Sequence, residues 1–220
     1  MIEYNQVNNM IRTMYLLLAL ALDVYCTGSQ MGIWKREFSR YSLGYYTILS
    51  NILVIIYFFV ALLNSVFGIF AFINNTVLSF VVMMSITLTF LIYHFLLMPQ
   101  SAKMWKEGNS DWNPYLPDNL GVHYVCPILM IIYFLIFIDH HDMTVWQSLY
   151  WLLVPLCFVF YSIIRVRLGY TMNDEGEHWP YWFMDFDRLG VKAVIRNLII
   201  IVVVFGLLGM LIARIGLWLR

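Results

Sequence analysis

Six long apolar stretches constrain the fold of this 220-residue chain more than any other feature of its sequence. An α-helix needs about 20 predominantly apolar residues to cross the hydrocarbon core of a bilayer. Six segments reach or approach that length: residues 10–30, 45–66, 76–98, 123–139, 145–167 and 192–216. Inside lipid a helix satisfies its own backbone hydrogen bonds. The sequence therefore predicts an all-α, polytopic integral membrane protein, a six-transmembrane-helix bundle that forms one domain over residues 1–220.

Composition supports that class and excludes others. Hydrophobic residues make up 62% of the chain and charged residues only 12%, about half the share of a soluble domain. A formal net charge of zero and the lack of a basic run predict no nucleic-acid partner. Cys26, Cys126 and Cys157 lie in or beside apolar spans without the spacing of a disulfide framework or a zinc site, so we expect neither metal nor cofactor.

Connections between the spans set the expected topology. The fourth span ends at the polar sequence "DHHD", residues 139–142, which predicts a tight turn into the fifth span. The stretch 67–75 is also apolar, so the second and third spans are open to extension toward a short turn at Asn74 and Asn75. The apolar run 15–22 lacks a cleavage site, and we interpret it as part of a retained first span.

The distribution of Lys and Arg predicts the orientation. Ten of these residues lie in or beside the connections between spans one and two, three and four, and five and six: Lys35, Arg36, Arg40, Lys103, Lys106, Arg165, Arg167, Arg188, Lys192 and Arg196. The opposite side has only Arg12, Arg214 and Arg220. The three long connections are therefore expected to face the cytoplasm, with both termini outside the cell membrane.

Polar residues gather at the predicted cytoplasmic end of all six spans. The members of this set are Asp23, Thr47, Ser50, Asn51, His94, His123, Tyr161, Ser162, Arg165, Asp185 and Asp187. The other end has Asn74, Asn75 and the "DHHD" sequence, which we interpret as solvated loop residues. Each polar residue alone is also compatible with a hydrogen bond between helices. Their concentration at one depth favours a functional site instead, since polar side chains within a bilayer are costly.

Thr47 and His123 are the candidate reactive pair. A threonine hydroxyl needs a neighbouring base to become a nucleophile, and histidine is a suitable base. Thr47 and Asn51 are four residues apart and share a helix face. Asn51 and His94 are candidate donors to a developing oxyanion, whereas Asp23, Asp185, Tyr161 and Arg165 are candidate supporting residues.

Five segments of the chain carry a resemblance to a known family. The segments "YYTILSNIL", "YHFLLMP", "NLGVHYVCPIL", "PLCFVFYSIIR" and "WPYWFMD" resemble the six-span bacterial Pr-type integral membrane proteins and, more distantly, the androgen-induced membrane hydrolases. The resemblance extends from about residue 40 to residue 190. It implies threonine-dependent hydrolysis of esters between fatty acids and hydroxy fatty acids, with membrane lipid or acyl ester as the substrate.

The resemblance also implies positions for the essential residues. The family threonine near the start of the second span corresponds to Thr47, and the family histidine before a hydrophobic-Pro run corresponds to His123 of "HYVCP". The family segment before the last span corresponds to "YWFMD", residues 181–185. The acidic residue that follows the family threonine by three is Ser50 here, which leaves Asp185 and Asp23 as alternatives for a residue that orients His123.

The sequence thus predicts an intramembrane lipid-ester hydrolase and leaves two alternatives open. One is a metal-dependent membrane hydrolase with His94, His123 and an Asp as ligands. The other is a non-enzymatic transporter or lipid-binding protein, although the internal repeats of many transporters are not evident. The oligomeric state is left open.

Overall fold

The computed structural model describes residues 2–109, 113–139, 143–174 and 176–218. Eight α-helices follow one another in these ranges: α1 Ile2–Gln30, α2 Tyr46–Phe67, α3 Thr76–Ile92, α4 Met98–Lys106, α5 Pro117–Leu120, α6 Cys126–Phe137, α7 Leu153–Arg167 and α8 Phe186–Trp218. Short 3₁₀ turns cover Ser42–Gly44, Ala71–Asn74, Gln147–Leu152 and Trp182–Met184. Three residues of the predicted turn (140–142) and Arg220 lie outside the described residues.

Six helical segments are long and apolar enough to span a membrane, which confirms the predicted all-α bundle. They cover Gln6–Gln30, Tyr46–Phe67, Thr76–Lys106, Pro117–Phe137, Gln147–Arg167 and Phe186–Ile215. Their boundaries differ most from the prediction in the third and fourth spans. The third continues through α4, and the fourth begins six residues earlier than the sequence indicated. His123 therefore lies inside the fourth span and not at its first residue.

The connection between α2 and α3 is longer than a turn at Asn74 and Asn75. Gly68 ends α2 in the left-handed conformation, with φ 72°, which glycine adopts without steric cost. Asn75 caps the start of α3, where its side-chain oxygen accepts a hydrogen bond from the Leu78 backbone N–H at 3.0 Å. Residues 68–75 thus form a separate connection between two capped helices and do not extend either span.

Two π-helical segments interrupt the third and fourth spans, one at Tyr93–Leu97 and one at Gly121–Val125. Each is followed after one residue by a proline, Pro99 or Pro127. A proline has no backbone N–H and so favours a break in the regular helical pattern. Such single-turn π segments are frequent at functional sites. Both candidate histidines, His94 and His123, lie in these segments.

An aromatic core holds the central helices together. Tyr57 and Phe58 of α2, Phe80 of α3 and Tyr133 of α6 are fully or almost fully buried. The Phe58 and Tyr133 rings meet edge to face with their centroids 5.6 Å apart, a favoured aromatic geometry. In contrast, α7 and α8 lie at the periphery and expose many large apolar side chains, as expected for helices that face lipid.

The opposite end of the bundle has its own polar network, which joins the exposed loop residue Asn74 to Arg12. Arg12 donates hydrogen bonds to the Tyr133 hydroxyl at 2.6 Å and to the Asn74 side-chain oxygen at 2.5 Å. Asn74 in turn donates to Asn64 at 3.0 Å. These contacts tie the start of α1 to the ends of α2 and α6. They satisfy an arginine at a membrane interface, where an unsatisfied charge is costly.

Candidate active site

Thr47 and His123 come together between α2 and the second π segment. The Thr47 Oγ1 atom lies 3.2 Å from the His123 Nε2 atom, and both side chains are buried. A nucleophile and a general base must lie within this hydrogen-bonding range. The chain thus brings two residues that are 76 positions apart into the geometry required for proton transfer.

The second ring nitrogen of His123 fixes the protonation pattern of the imidazole. Its Nδ1 atom lies 2.9 Å from the backbone carbonyl oxygen of Asn119. A carbonyl oxygen only accepts hydrogen bonds, so the proton of the neutral ring is on Nδ1. The Nε2 atom is then an acceptor that faces the Thr47 hydroxyl. This is the tautomer that a general base needs.

Tyr93 and Asn119 hold the imidazole in place. The Tyr93 ring stacks on the His123 ring with the centroids 3.7 Å apart and the planes at 21°. The Asn119 side-chain amide donates to the Tyr93 hydroxyl at 2.5 Å and to the Pro114 carbonyl at 2.7 Å. The loop before α5, the first π segment and the second π segment are thereby linked around one histidine. Such supporting contacts lock the rotamers of reactive residues.

Asn51 fixes the position of α2 relative to the second π segment, which contains His123. Its amide nitrogen donates to the Thr47 carbonyl at 2.7 Å and to the Val122 carbonyl at 3.1 Å. The Val122 carbonyl is available because Cys126 donates to Gly121 and because Pro127 has no N–H. Asn51 therefore occupies both of its amide protons with backbone carbonyls. Its position supports the geometry of the pair and not a hydrogen bond to an oxyanion.

Tyr181 is a polar neighbour of Thr47 that sequence reasoning did not select. Removal of its phenol from solvent raises the pKa to about 12, whereas the Thr47 hydroxyl and the backbone amides of Thr47 and Tyr46 oppose that rise. The phenol therefore remains protonated and able to donate a hydrogen bond. Thr47 is the second residue of α2, and the side chain of the N-cap residue Tyr45 does not cap that helix end. The Tyr181 phenol and the first turn of α2 thus lie together beside Thr47.

A cavity of about 520 Å³ opens beside this pair at one end of the bundle. Thr47, His123, Tyr93, Asn119 and Tyr181 all line it. Its remaining polar lining comes mainly from the end of α1, the connection to α2 and the start of α4: Gln30, Ser39, Tyr41, Ser42, Tyr45 and Ser101. The volume is within the range of small-molecule sites.

Three of the predicted supporting residues lie at the same end but do not line the cavity. His94 is exposed, and its Nδ1 atom is 3.2 Å from the Tyr124 hydroxyl. The Tyr161 hydroxyl donates to the Leu43 carbonyl at 3.0 Å. The Arg165 guanidinium lies over the ring of Tyr161 at 5.8 Å and donates to the Met172 sulfur. These residues anchor the surrounding connections.

The two candidate orienting acids have other partners. Asp185 accepts from the backbone N–H groups of Asp187 at 3.0 Å and Arg188 at 2.9 Å, so it caps the start of α8. Asp23 is fully buried in α1 and accepts from the Thr27 hydroxyl at 3.1 Å. The group that contacts His123 Nδ1 is the Asn119 carbonyl.

Within the residues that the structure describes, no three His, Cys, Asp or Glu side chains converge as a metal-ligating cluster. His123 binds Thr47 and Asn119, whereas His94 contacts Tyr124. The donor set proposed for a metal-dependent hydrolase is thus not assembled in those ranges.

Three site residues were present in the segments that carry the family resemblance and were still missed. Tyr93, Asn119 and Tyr181 lie in "YHFLLMP", "NLGVHYVCPIL" and "WPYWFMD". The signal that could have identified them is their position in these segments, within four residues of the selected His94, His123 and Asp185. Tyr residues at the ends of membrane helices are usually interpreted as interfacial, and Asn119 precedes the predicted fourth span, so neither type was selected.

The fold and the buried hydroxyl–imidazole pair together define a multi-pass integral membrane protein with a polar cavity at one end. Comparisons with models of protein families, with curated proteins and with solved structures found no match to this chain.

Proposed function

We propose that this chain is an intramembrane lipid-ester hydrolase with Thr47 as the nucleophile and His123 as the general base. The observation that carries the proposal is the 3.2 Å contact between Thr47 Oγ1 and His123 Nε2, with His123 Nδ1 bound to a carbonyl. A hydroxyl next to a correctly protonated imidazole is the minimal arrangement for acyl transfer.

In the first step, Thr47 Oγ1 forms a bond to the ester carbonyl carbon while His123 Nε2 takes the hydroxyl proton. Collapse of the tetrahedral intermediate breaks the bond to the alcohol oxygen, and His123 returns the proton to that oxygen. The alcohol leaves, and the acyl group remains on Thr47. The imidazole is then neutral again with its proton on Nδ1.

In the second step, His123 Nε2 takes a proton from a water molecule that attacks the acyl-threonine carbonyl. The bond to Thr47 Oγ1 breaks, the proton returns to that oxygen, and a fatty acid is released. The polar lining of the cavity beside His123 suits the entry of this water. No reactant besides the ester and water is needed.

The oxyanion of both intermediates would form beside Tyr181 and the first turn of α2. The protonated Tyr181 phenol supplies a hydrogen-bond donor there, and the N-terminus of α2 supplies a positive dipole. One such donor typically contributes about 10²–10³ in kcat. We assign this role to Tyr181 in place of Asn51 or His94, since the amide of Asn51 is occupied and His94 is exposed.

The same proposal includes a location. The excess of Lys and Arg near the cavity end supports a cytoplasmic site in the cell membrane, with both termini outside. Membrane lipid or an acyl ester is then the substrate. We also propose a relation to the six-span bacterial Pr-type family, supported by the position of Thr47 and His123 in the segments that resemble it.

The transporter alternative receives less support from the packing. Between the cavity and the Arg12 network, the bundle is filled by side chains that are completely buried, including Phe58, Met84 and Met130. Interiors of this kind have few voids larger than a water molecule. A site that opens at one end suits hydrolysis of a bound lipid better than transfer of a solute across the bilayer.

A fluorophosphonate probe tests the nucleophile in the purified, membrane-reconstituted protein. We expect covalent labelling of the wild type at Thr47 and no labelling of Thr47→Ala or of His123→Ala. Ser50→Ala is the matched control, because Ser50 forms a buried hydroxyl pair with Thr89 at 2.7 Å one turn away and should leave labelling unchanged. Equal labelling of the wild type and Thr47→Ala would reject the proposed nucleophile.

A further inference from the structure

A second, apolar crevice meets the polar cavity at Thr47. It has a volume of about 60 Å³ and lies between α3, α7 and α8. Its apolar lining includes Leu88, Pro155, Phe158, Val159, Leu198 and Ile201. Thr47, Leu97 and Tyr181 line both this crevice and the polar cavity. The candidate nucleophile therefore stands at the boundary between an apolar and a polar space.

Two contacts of α8 lie on either side of the crevice residues. Gly209 allows close approach of Trp151, since an added Cβ would lie 2.8 Å from the indole nitrogen. Asn197 donates to the Phe183 carbonyl at 3.1 Å. Leu198 and Ile201 lie between these two contacts in the chain. The middle of α8 is thus held against its neighbours, and the crevice lies within that stretch.

The side chains next to the crevice residues face outward. On α7, Leu156 and Phe160 are exposed beside Pro155 and Val159. On α8, Ile199 and Val202 are exposed beside Leu198 and Ile201. Apolar faces of this kind contact acyl chains in a membrane protein. An alkyl chain in the bilayer therefore has a short, continuously apolar route to Thr47.

We infer that the crevice between α3, α7 and α8 is a lateral acyl site, in which the fatty acyl chain of an ester lies while its alcohol portion occupies the polar cavity. This inference rests on the proposed function and adds the orientation and class of the substrate. The crevice matches an alkyl chain because its polar lining lies mainly where it meets the cavity, at Thr47 and Tyr181. The other hydroxyl groups of its lining have partners, since Thr89 is bound to Ser50 and Tyr46 donates to the Ser85 carbonyl. The hydroxyl-rich cavity matches a polar or hydroxylated alcohol.

The enclosed part of the crevice holds only a few methylene groups, and the rest of a long chain would lie along the outer faces of α7 and α8. The substrate class that fits is an ester of a long-chain fatty acid with a polar alcohol. Transfer of each added methylene from water to the crevice is expected to raise kcat/KM by about fourfold over the first few carbons.

A chain-length series on the reconstituted protein tests the orientation. We expect the ratio of kcat/KM for p-nitrophenyl octanoate to that for the acetate to fall at least about tenfold in Ile201→Phe, because the larger ring fills the crevice. Leu211→Phe is the matched control: its side chain is exposed on the same helix, ten residues from Ile201 and beyond the Gly209 contact, so the ratio should remain at the wild-type value. A wild-type ratio in Ile201→Phe would overturn the inference.

Photolabelling separates this inference from the proposed function, since it needs no turnover. A palmitic acid analogue with a diazirine near the carboxyl end is added to Thr47→Ala in lipid nanodiscs, and the adducts are mapped by mass spectrometry. We expect adducts within 155–159 and 198–201, and their loss in the Thr47→Ala/Ile201→Phe double variant. Adducts in the crevice without any ester hydrolysis by the wild type would reject the hydrolase and keep the acyl site. Hydrolysis with adducts only elsewhere would reject the acyl site.

Discussion

His123 Nδ1 donates its proton to the backbone carbonyl of Asn119 at 2.9 Å, and no carboxylate contacts either ring nitrogen among the residues that the structure describes. In many acyl-transfer sites, a carboxylate has this orienting role. Here a main-chain oxygen in the turn that precedes the π segment supplies the acceptor. A carbonyl fixes the tautomer but carries no full negative charge, so it stabilises the protonated imidazole less than a carboxylate does.

The first prediction follows from that contact. Asp185→Asn should retain the wild-type kcat, because Asp185 accepts backbone N–H bonds at the start of α8 and an asparagine oxygen can do the same. Asp185→Ala should lower the free energy of unfolding by about 1 kcal/mol through loss of the cap. Ester hydrolysis and thermal unfolding in detergent measure the two effects. A large fall of kcat in Asp185→Asn would show that Asp185 acts on the reaction itself.

The second prediction concerns the proposed oxyanion donor. Tyr181→Phe should lower kcat by about 10²-fold with little change in KM, since only the transition state needs that hydrogen bond. The phenol has a pKa raised to about 12, so the wild-type donor should persist up to about pH 10. Full kinetics with a short-chain ester measure both parameters.

Tyr161→Phe is the control for that experiment. Tyr161 is at the same end of the bundle, but its hydroxyl donates to the Leu43 carbonyl and does not line the cavity. The control should keep kcat within about twofold of the wild type. If both variants lose activity equally, the effect belongs to the packing of this end and not to an oxyanion donor.

The third prediction concerns Asn51, which links Thr47 to the second π segment. Asn51→Leu has a similar volume but leaves the Val122 carbonyl without its donor, whereas the Thr47 carbonyl retains the Ser50 hydroxyl at 3.0 Å. We expect a loss of about 1–3 kcal/mol in the free energy of unfolding, together with a lower kcat, because His123 is no longer held in register. Circular dichroism melting and probe labelling of the folded fraction measure these effects separately. Wild-type labelling rates in folded Asn51→Leu would show that α2 and the π segment align without Asn51.

Much of the fold follows from hydropathy alone, whereas the site follows only in part. The six spans were predictable because a bilayer demands about 20 apolar residues for each crossing. Thr47 and His123 could be selected because the resemblance implies a threonine and a histidine at these two positions. The contact between Asn51 and Val122 could not, since it depends on the π segment and on Pro127 together. Helix start signals were also missed at Pro117, so the fourth span was predicted too short.

Asp185 and Tyr181 also show that the sequence alone does not identify every residue of the site. Both lie in "YWFMD". Asp185 is the predicted site residue of the two, because an ionisable group within a membrane usually has a function. The side chain that reaches Thr47 belongs to the tyrosine, and which of the two does so depends on the path of the 3₁₀ turn Trp182–Met184. Periodicity gives no information about an irregular turn. Long-range packing therefore decided the composition of the site.

The last prediction tests whether the second π segment needs Gly121. An added Cβ at this position would lie 2.8 Å from the Cys26 Cβ of α1, a distance that forces one of the helices to move. Gly121→Ala should therefore lower the melting temperature and shift His123 away from Thr47, with loss of probe labelling. Gly206→Ala is the control, because its added Cβ would meet only leucine side chains at 3.7 and 3.8 Å.

Relief of the contact should reverse the defect. The double variant Gly121→Ala/Cys26→Gly removes both Cys26 side-chain atoms that the new methyl group would meet, at a helix-propensity cost of about 1 kcal/mol. We expect it to recover labelling of Thr47 relative to Gly121→Ala, although its melting temperature should remain below that of the wild type. If labelling is restored, the close approach of α1 determines the position of His123. If the double variant is as inactive as Gly121→Ala, the π segment itself requires glycine, independently of α1.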